Sequence, residues 1–202
     1  MTLKFTILGC GSSMGVPRVA LGWGDCDPNE PKNRRRRCSL LVERGDDPAR
    51  CTRILVDCTP DLREQLLRAH CAQVDAVLLT HDHADQTHGI DDLRAAAYLA
   101  RKRIDVFTDR ACLDSVKRKF GYIFETPPGS GYPPIMTVRE LTEPFADFSI
   151  DGAGGPISVR AFKQGHGAIH SLGFRFGPFA YSSDAATLDA AAFATLDGTQ
   201  CW

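Results

Sequence analysis

Three of the six histidines, His81, His83 and His88, fall within one short stretch, with Asp82, Asp85, Asp91 and Asp92 beside them. The stretch runs Leu79-Thr80-His81-Asp82-His83-Ala84-Asp85-Gln86-Thr87-His88-Gly89 and directly follows the apolar run Val77-Leu78-Leu79. In extended backbone, residues two apart share a side. His81, His83 and Asp85 can therefore converge on one point at the end of a buried strand. Imidazole nitrogens with carboxylate oxygens form a ligand set suited to zinc, manganese or iron. The competing reading is a solvated polar loop; the spacing and the position at a strand end favour the metal.

The elements that must hold these groups follow from periodicity and punctuation. Strands are read over Thr2 to Leu8, Cys38 to Glu43, Arg53 to Asp57, Asp75 to Thr80 and Ile104 to Thr108. Later strands are read near 135–141, 156–163, 172–177 and 179–183. A helix is expected over Asp61 to His70, with Leu62, Leu66 and Leu67 inward and Asp61 with Glu64 as a capping box. Further helices are expected from His88 to Arg101, from Ala111 to Phe120 and over 187–196. Residues 18–37 and 125–134 read as irregular loops. Helices alternate with strands early and strands dominate late, which fits sheets covered by helices.

At 202 residues the chain suits one domain with a sizeable core. Lys plus Arg number 24 against 25 Asp plus Glu, so bulk charge makes no case for a nucleic-acid or membrane binder. No apolar run approaches the ~18 residues of a membrane span. The apolar run Phe5-Thr6-Ile7-Leu8 is too short for an export signal, and the expected compartment is the cytoplasm. In that compartment the eight cysteines are expected as free thiols. A zinc site from Cys26 and Cys38 is disfavoured because paired Cys-x-x-Cys spacing is lacking.

His-x-His-x-Asp after a strand, followed by Gly89, resembles the signature of the metallo-β-lactamase superfamily. Leu8-Gly9-Cys10-Gly11-Ser12-Ser13, Pro31-Lys32-Asn33-Arg34-Arg35-Arg36-Arg37, Asp57-Cys58-Thr59-Pro60-Asp61 and His88-Gly89-Ile90-Asp91-Asp92-Leu93-Arg94 extend the resemblance over nearly the whole chain. The branch is similar to the phosphonate-pathway cyclic phosphodiesterases and, more distantly, to ribonuclease Z. The resemblance implies an α+β fold, a four-layer αβ/βα sandwich with the metal site at one edge. It also implies one domain over residues 1–202, cut short at its C-terminus with the last elements absent. Two divalent ions, zinc or manganese, are implied. His81, His83 and His166 would hold the first, Asp184 would bridge, and Asp85 would hold the second and take a proton. The alternatives are a loop histidine for His166 and a helix N-cap for Asp184.

Two departures bear on the second ion. The family usually has histidine directly after the motif's aspartate, and here Gln86 stands there. Gln offers a neutral carbonyl oxygen, a weaker zinc donor than imidazole. The late-strand histidine of the family has no counterpart in this sequence. His88, three residues after Asp85, is left as a group for the second ion, the substrate or the surroundings of the metal. Asp57 is expected to support a ligand histidine. His70 and His170 read as structural or solvent-exposed. Arg34 to Arg37 read mainly as solvated and paired, with phosphate contact as the alternative. Arg94 reads as substrate-facing or as a surface ion pair. Gly9-x-Gly11 fails as a dinucleotide fingerprint because Met14 holds the place of the third glycine.

The expected function is a metal-dependent hydrolase acting on a small phosphodiester or cyclic phosphate. Expected partners are that phosphate-containing substrate and, at most, a second copy as a homodimer; no membrane or nucleic acid is expected. The competing class is a metal-binding family member without turnover.

Overall fold

The computed structural model describes residues 2–202, and its strands divide between two sheets. The larger sheet contains, in spatial order, β1 (Leu3–Gly9), β2 (Ser39–Arg44), β3 (Thr52–Val56), β4 (Ala76–Leu78), β5 (Ile104–Asp109) and β6 (Met136–Leu141). The pairs β1–β2 and β2–β3 are antiparallel; from β3 to β6 all pairs are parallel. The smaller sheet is an antiparallel meander of β7 (Phe148–Ile150), β8 (Ile157–His166), β9 (Ile169–Phe176) and β10 (Phe179–Tyr181).

Parallel pairing requires crossovers, and the helices lie in them. They are α1 (Leu62–Arg68), α2 (Ala84–Thr87), α3 (Arg94–Ala100) and α4 (Arg110–Phe120). Alternation along the strands then sorts side chains onto two faces. Leu41, Leu55, Val77 and Val106 pack with Leu62, Ala97, Cys112 and Val116 of the helices. Leu40, Val42, Ile54, Val56 and Leu78 pack instead on Val159, Ala161, Leu172, Phe174 and Phe176 of the second sheet. On the outer face of that sheet, α5 (Ala190–Leu196) sets Ala192 and Leu196 against Phe162 and Ala180. The result is helix, sheet, sheet, helix: the four-layer α+β sandwich expected. Each fully buried Leu, Ile or Phe in these layers contributes ~1.5–3 kcal/mol of hydrophobic transfer. No helix among the described residues is long and apolar enough to cross a membrane.

Several local readings change. Leu67 is 58% exposed, because α1 makes under two turns and its inward face is already filled by Leu62 and Gln65. Asp61 caps nothing; its carboxylate takes two donors from Arg37, the backbone N–H at 2.9 Å and the guanidinium at 2.8 Å. The helix expected from His88 to Arg101 is a 3-10 turn at Ile90–Leu93 followed by the shorter α3, and the separate α2 ends before His88. The break follows from Gly89, whose N–H donates to Cys58 O at 2.9 Å and whose Cα packs against the Thr59 carbonyl. The β8–β9 hairpin is longer than read, and β7, at three residues, gave too short a pattern to read. The eight cysteines are free.

Candidate metal centre

Strand ends on one edge of the sandwich bring the chemistry together. Past β4, Leu79 N–H donates to Phe107 O, and Leu172 N–H donates to Thr80 O at 2.8 Å, tying the edge to β9 of the second sheet. His81 thus emerges beside the end of β8, which carries His166. His83 precedes α2 in extended backbone, and its carbonyl accepts from the Thr87 hydroxyl at 2.9 Å. Across the edge, Gly165 N–H donates to Thr187 O and Gly165 O accepts from Ala186 N–H at 2.7 Å. That pairing holds the segment after Asp184 against the residue before His166. A side chain at Gly165 would collide with the Thr187 hydroxyl.

His81, His83 and His166 converge as the resemblance implied, whereas Asp85, which the spacing set beside His81 and His83, is not in that cluster. Their potential ligand nitrogens all lie within 4.8 Å of one another. His83 Nδ1 is 3.1 Å from His81 Nε2 and 3.3 Å from His166 Nε2. His81 is 2% exposed. Its Nδ1 lies 2.9 Å from Thr80 Oγ1, which also meets both oxygens of Asp57, at 3.1 and 2.9 Å. A hydroxyl has one proton, and an ionised carboxylate can only accept it. With Asp57 ionised, as cationic charge at the histidines favours, Thr80 donates to Asp57 and accepts from His81 Nδ1–H, which leaves Nε2 as a bare lone pair facing the cluster. His83 Nδ1 can donate to only one of its two neighbours. Three facing nitrogens that hydrogen bonds cannot satisfy together fit a shared divalent cation, bound through His81 Nε2, His83 Nδ1 and His166 Nε2.

The electrostatics agree. Burial, then the neighbouring His83 and His166, pulls the His81 pKa down to about 4, so this imidazole is neutral at physiological pH. Asp57 is fully buried with a left-handed φ of 64°. Burial pushes its carboxyl well up, against the pull of the Thr80 hydrogen bonds. Cationic charge at the histidines acts in the opposite sense and favours the carboxylate.

The remaining expected residues are placed as follows. Asp85 and Asp184 face each other across the Gln86 side chain, whose Nε2 is 3.2 Å from Asp85 Oδ2 and 3.0 Å from Asp184 Oδ2. Burial and the Asp85 charge raise the Asp184 pKa. Asp184 is not a helix cap; Asp189 caps α5 by accepting from Ala192 N–H. Asp57 supports His81 through Thr80 rather than directly. His88 does not join the cluster: it is exposed, lies against the Phe120 ring and contacts Thr87 Oγ1. His170 pairs with Asp109. Arg94 forms the surface pair, with Asp91 at 2.6 Å. The Cys38 thiol, raised to about 11 mainly by burial, donates to Gly11 O, and no cysteine joins the metal cluster among the described residues. Thr80 and the hydrogen-bonding role of Gln86 were missed by sequence reasoning. A threonine directly before the first histidine was the available signal.

The arginine run is partly engaged. Arg37 pairs with Asp61, and Arg34 stacks over Trp23 with its Cζ 5.3 Å from the ring centre. Lys32, Arg34, Arg35 and Arg36 also line a cleft of about 810 Å³; Arg36 Nη1 itself is buried, with no hydrogen-bond partner among the described residues.

Residues 52–202 match the family described as Beta-lactamase superfamily domain. The chain belongs to the β-lactamase superfamily. It is similar to a crystal structure of a diphosphatase from the PhnP family, with a TM-score of 0.79 and 29% identity, covering 98% of this chain and 72% of that one. Among curated relatives, it is 31% identical over 150 residues to ribonuclease Z of Bradyrhizobium sp. (strain ORS 278), covering 72% of this chain and 46% of that protein. It is 33% identical over 182 residues to an octanoyltransferase of Porphyromonas gingivalis, covering 90% of this chain and 35% of that protein. The chain thus spans between a third and a half of the length of these two curated relatives. The likeness of this superfamily chain to the diphosphatase agrees with the branch whose motifs its sequence resembles.

Proposed function

We propose that this protein is a metal-dependent hydrolase that cleaves a phosphodiester or cyclic phosphate in a small molecule. The observation that carries the reading is the set of three facing imidazole nitrogens, one of them fixed as a lone pair by Thr80 and Asp57. A divalent ion, zinc or manganese, supplies a water of lowered pKa and neutralises charge on phosphoryl oxygens when bound. The chain's own groups do the rest. Asp85, held by the Gln86 amide, accepts the proton of the attacking water. Asp184 closes the opposite wall. Thr80 and Asp57 keep His81 in one tautomer and one orientation. Lys32, Arg34, Arg35 and Arg36 supply cationic donors for a phosphate-bearing substrate.

Support for phosphorus rather than carbon as the reacting centre comes from two relatives, the diphosphatase and ribonuclease Z. The carboxylate-rich wall also suits harder ions and oxygen-rich substrates. The acyl-transfer name belongs to a protein of which this chain matches 35%. The test is a substrate panel with metal-loaded protein: bis(4-nitrophenyl) phosphate, 2′,3′-cyclic nucleotides, 4-nitrophenyl phosphate and an acyl thiolester. The reading expects the diesters to turn over fastest. Thiolester turnover without diester turnover would reverse it, and loaded protein without any turnover would support the non-catalytic alternative.

A further inference from the structure

The His81–His83–His166 cluster is complete without either carboxylate, and Gln86 holds the place where the resemblance implies a histidine for a second ion. We propose that this centre binds one divalent ion, and that the Gln86 amide takes the place of the second. The proposal rests on the metal-centre reading above.

Gln86 is 1% exposed and its backbone is fixed at both ends. Its N–H donates to His83 O at 3.1 Å, and its carbonyl accepts from Cys58 N–H at 2.7 Å. The side chain therefore has little freedom to leave the gap between Asp85 and Asp184. A primary amide has two N–H donors, and two carboxylate oxygens stand within 3.2 Å of this nitrogen. Gln86 Oε1, by contrast, is buried with no partner among the described residues. Reversing the amide would set that oxygen against two carboxylates and leave the NH₂ group buried and unpaired, so nitrogen-inward is the stable arrangement. The amide thus does for the two carboxylates what a cation would do: it offers each of them positive hydrogens.

A second ion would have to break both hydrogen bonds and turn the amide over to gain one neutral oxygen. Among the described residues, His88 does not help it there, because its ring lies against Phe120, outside the cluster. The site at the three histidines needs no such rearrangement. Three imidazoles and one open position make a complete catalytic coordination shell for a single ion.

The test is metal stoichiometry, read without turnover. Metal-free protein is reloaded with excess zinc, passed through a desalting column, and measured by plasma mass spectrometry and by native mass spectrometry. The expected result is one ion per chain, rising to two in Gln86→His. Asp85→Asn, which keeps an isosteric side chain, should still bind one; it guards against a Gln86→His variant that does not fold. Two ions in the parent chain, falling to one in Asp85→Asn, overturn the inference and leave the metal-centre reading standing. One ion in folded Gln86→His overturns the role given to the amide. No ion in the parent chain overturns the metal-centre reading itself.

Discussion

Asp57 reaches His81 through a single hydroxyl: Thr80 Oγ1 lies 2.9 Å from Asp57 Oδ2 and 2.9 Å from His81 Nδ1. The arrangement fixes which imidazole nitrogen carries the proton, and so which one can bind a metal. It also puts a carboxyl in full burial at a left-handed backbone position.

Asp57→Asn separates these two consequences. Asn tolerates the left-handed region as well as Asp does and keeps an oxygen for Thr80. In metal-free protein, burial raises the Asp57 pKa, so the acid form stabilises the fold at low pH and this contribution is lost as pH rises through the raised value. The variant should therefore melt at or above the parent at pH 7, and lose that advantage as pH falls to ~4, the unfolded aspartate range. Its zinc affinity should drop ~10–100-fold, as should that of Thr80→Val. Calorimetric titration and thermal melts read the two effects separately. Unchanged zinc affinity in both variants would remove Asp57 and Thr80 from the centre.

The pH response of His81 has the opposite sign. Its pKa falls from 6.5 unfolded to about 4 folded. Between those values the unfolded chain binds more protons, so the contribution is full above pH 6.5 and is lost as pH falls to about 4. The upper bound is on the order of 3 kcal/mol. Melts of metal-free parent and His81→Asn should converge as pH is lowered through this window. Parallel curves would mean that His81 is not held neutral by its surroundings.

Gly89→Ala should destabilise the fold by ~1–3 kcal/mol in denaturant melts. The added methyl would collide with the Thr59 carbonyl, which is backbone and cannot swing aside. Because Gly89 φ is −96°, the cost is steric and not conformational. Gly121→Ala, with open space around the added carbon, serves as the mild comparison.

In the basic cleft, Arg36→Ala should raise KM for a phosphodiester ~10-fold with kcat little changed, because the guanidinium binds substrate and reacting groups alike. Arg110→Ala, on the exposed start of α4, should leave KM unchanged. Equal KM for parent and Arg36→Ala would return the arginine run to the solvated and paired reading.

Much of this is legible in the sequence alone. Val77-Leu78-Leu79 announced a strand buried on both faces, and two-residue spacing put His81 and His83 on one side of its extension. The alternation of helices with strands pointed to sheets covered by helices, while the four-layer order came only with the resemblance. What stayed hidden depended on contacts between distant residues. Asp61 looked like a helix cap because local spacing says nothing of Arg37, which claims its carboxylate. His88 looked available to the site because helical spacing from Asp85 ignores Phe120, against which its ring lies. Gln86 read as a lost ligand; that its amide would link Asp85 to Asp184, 98 residues further along, no periodicity could show.

The most direct test of the account is hydrolysis of bis(4-nitrophenyl) phosphate by four samples in parallel: metal-free protein, zinc-loaded protein, and His83→Ala and His166→Ala carried through the same loading. The account predicts turnover in the loaded parent alone, with zinc affinity in both variants more than ~100-fold weaker. Undiminished turnover in metal-free protein, or in either variant, would contradict it.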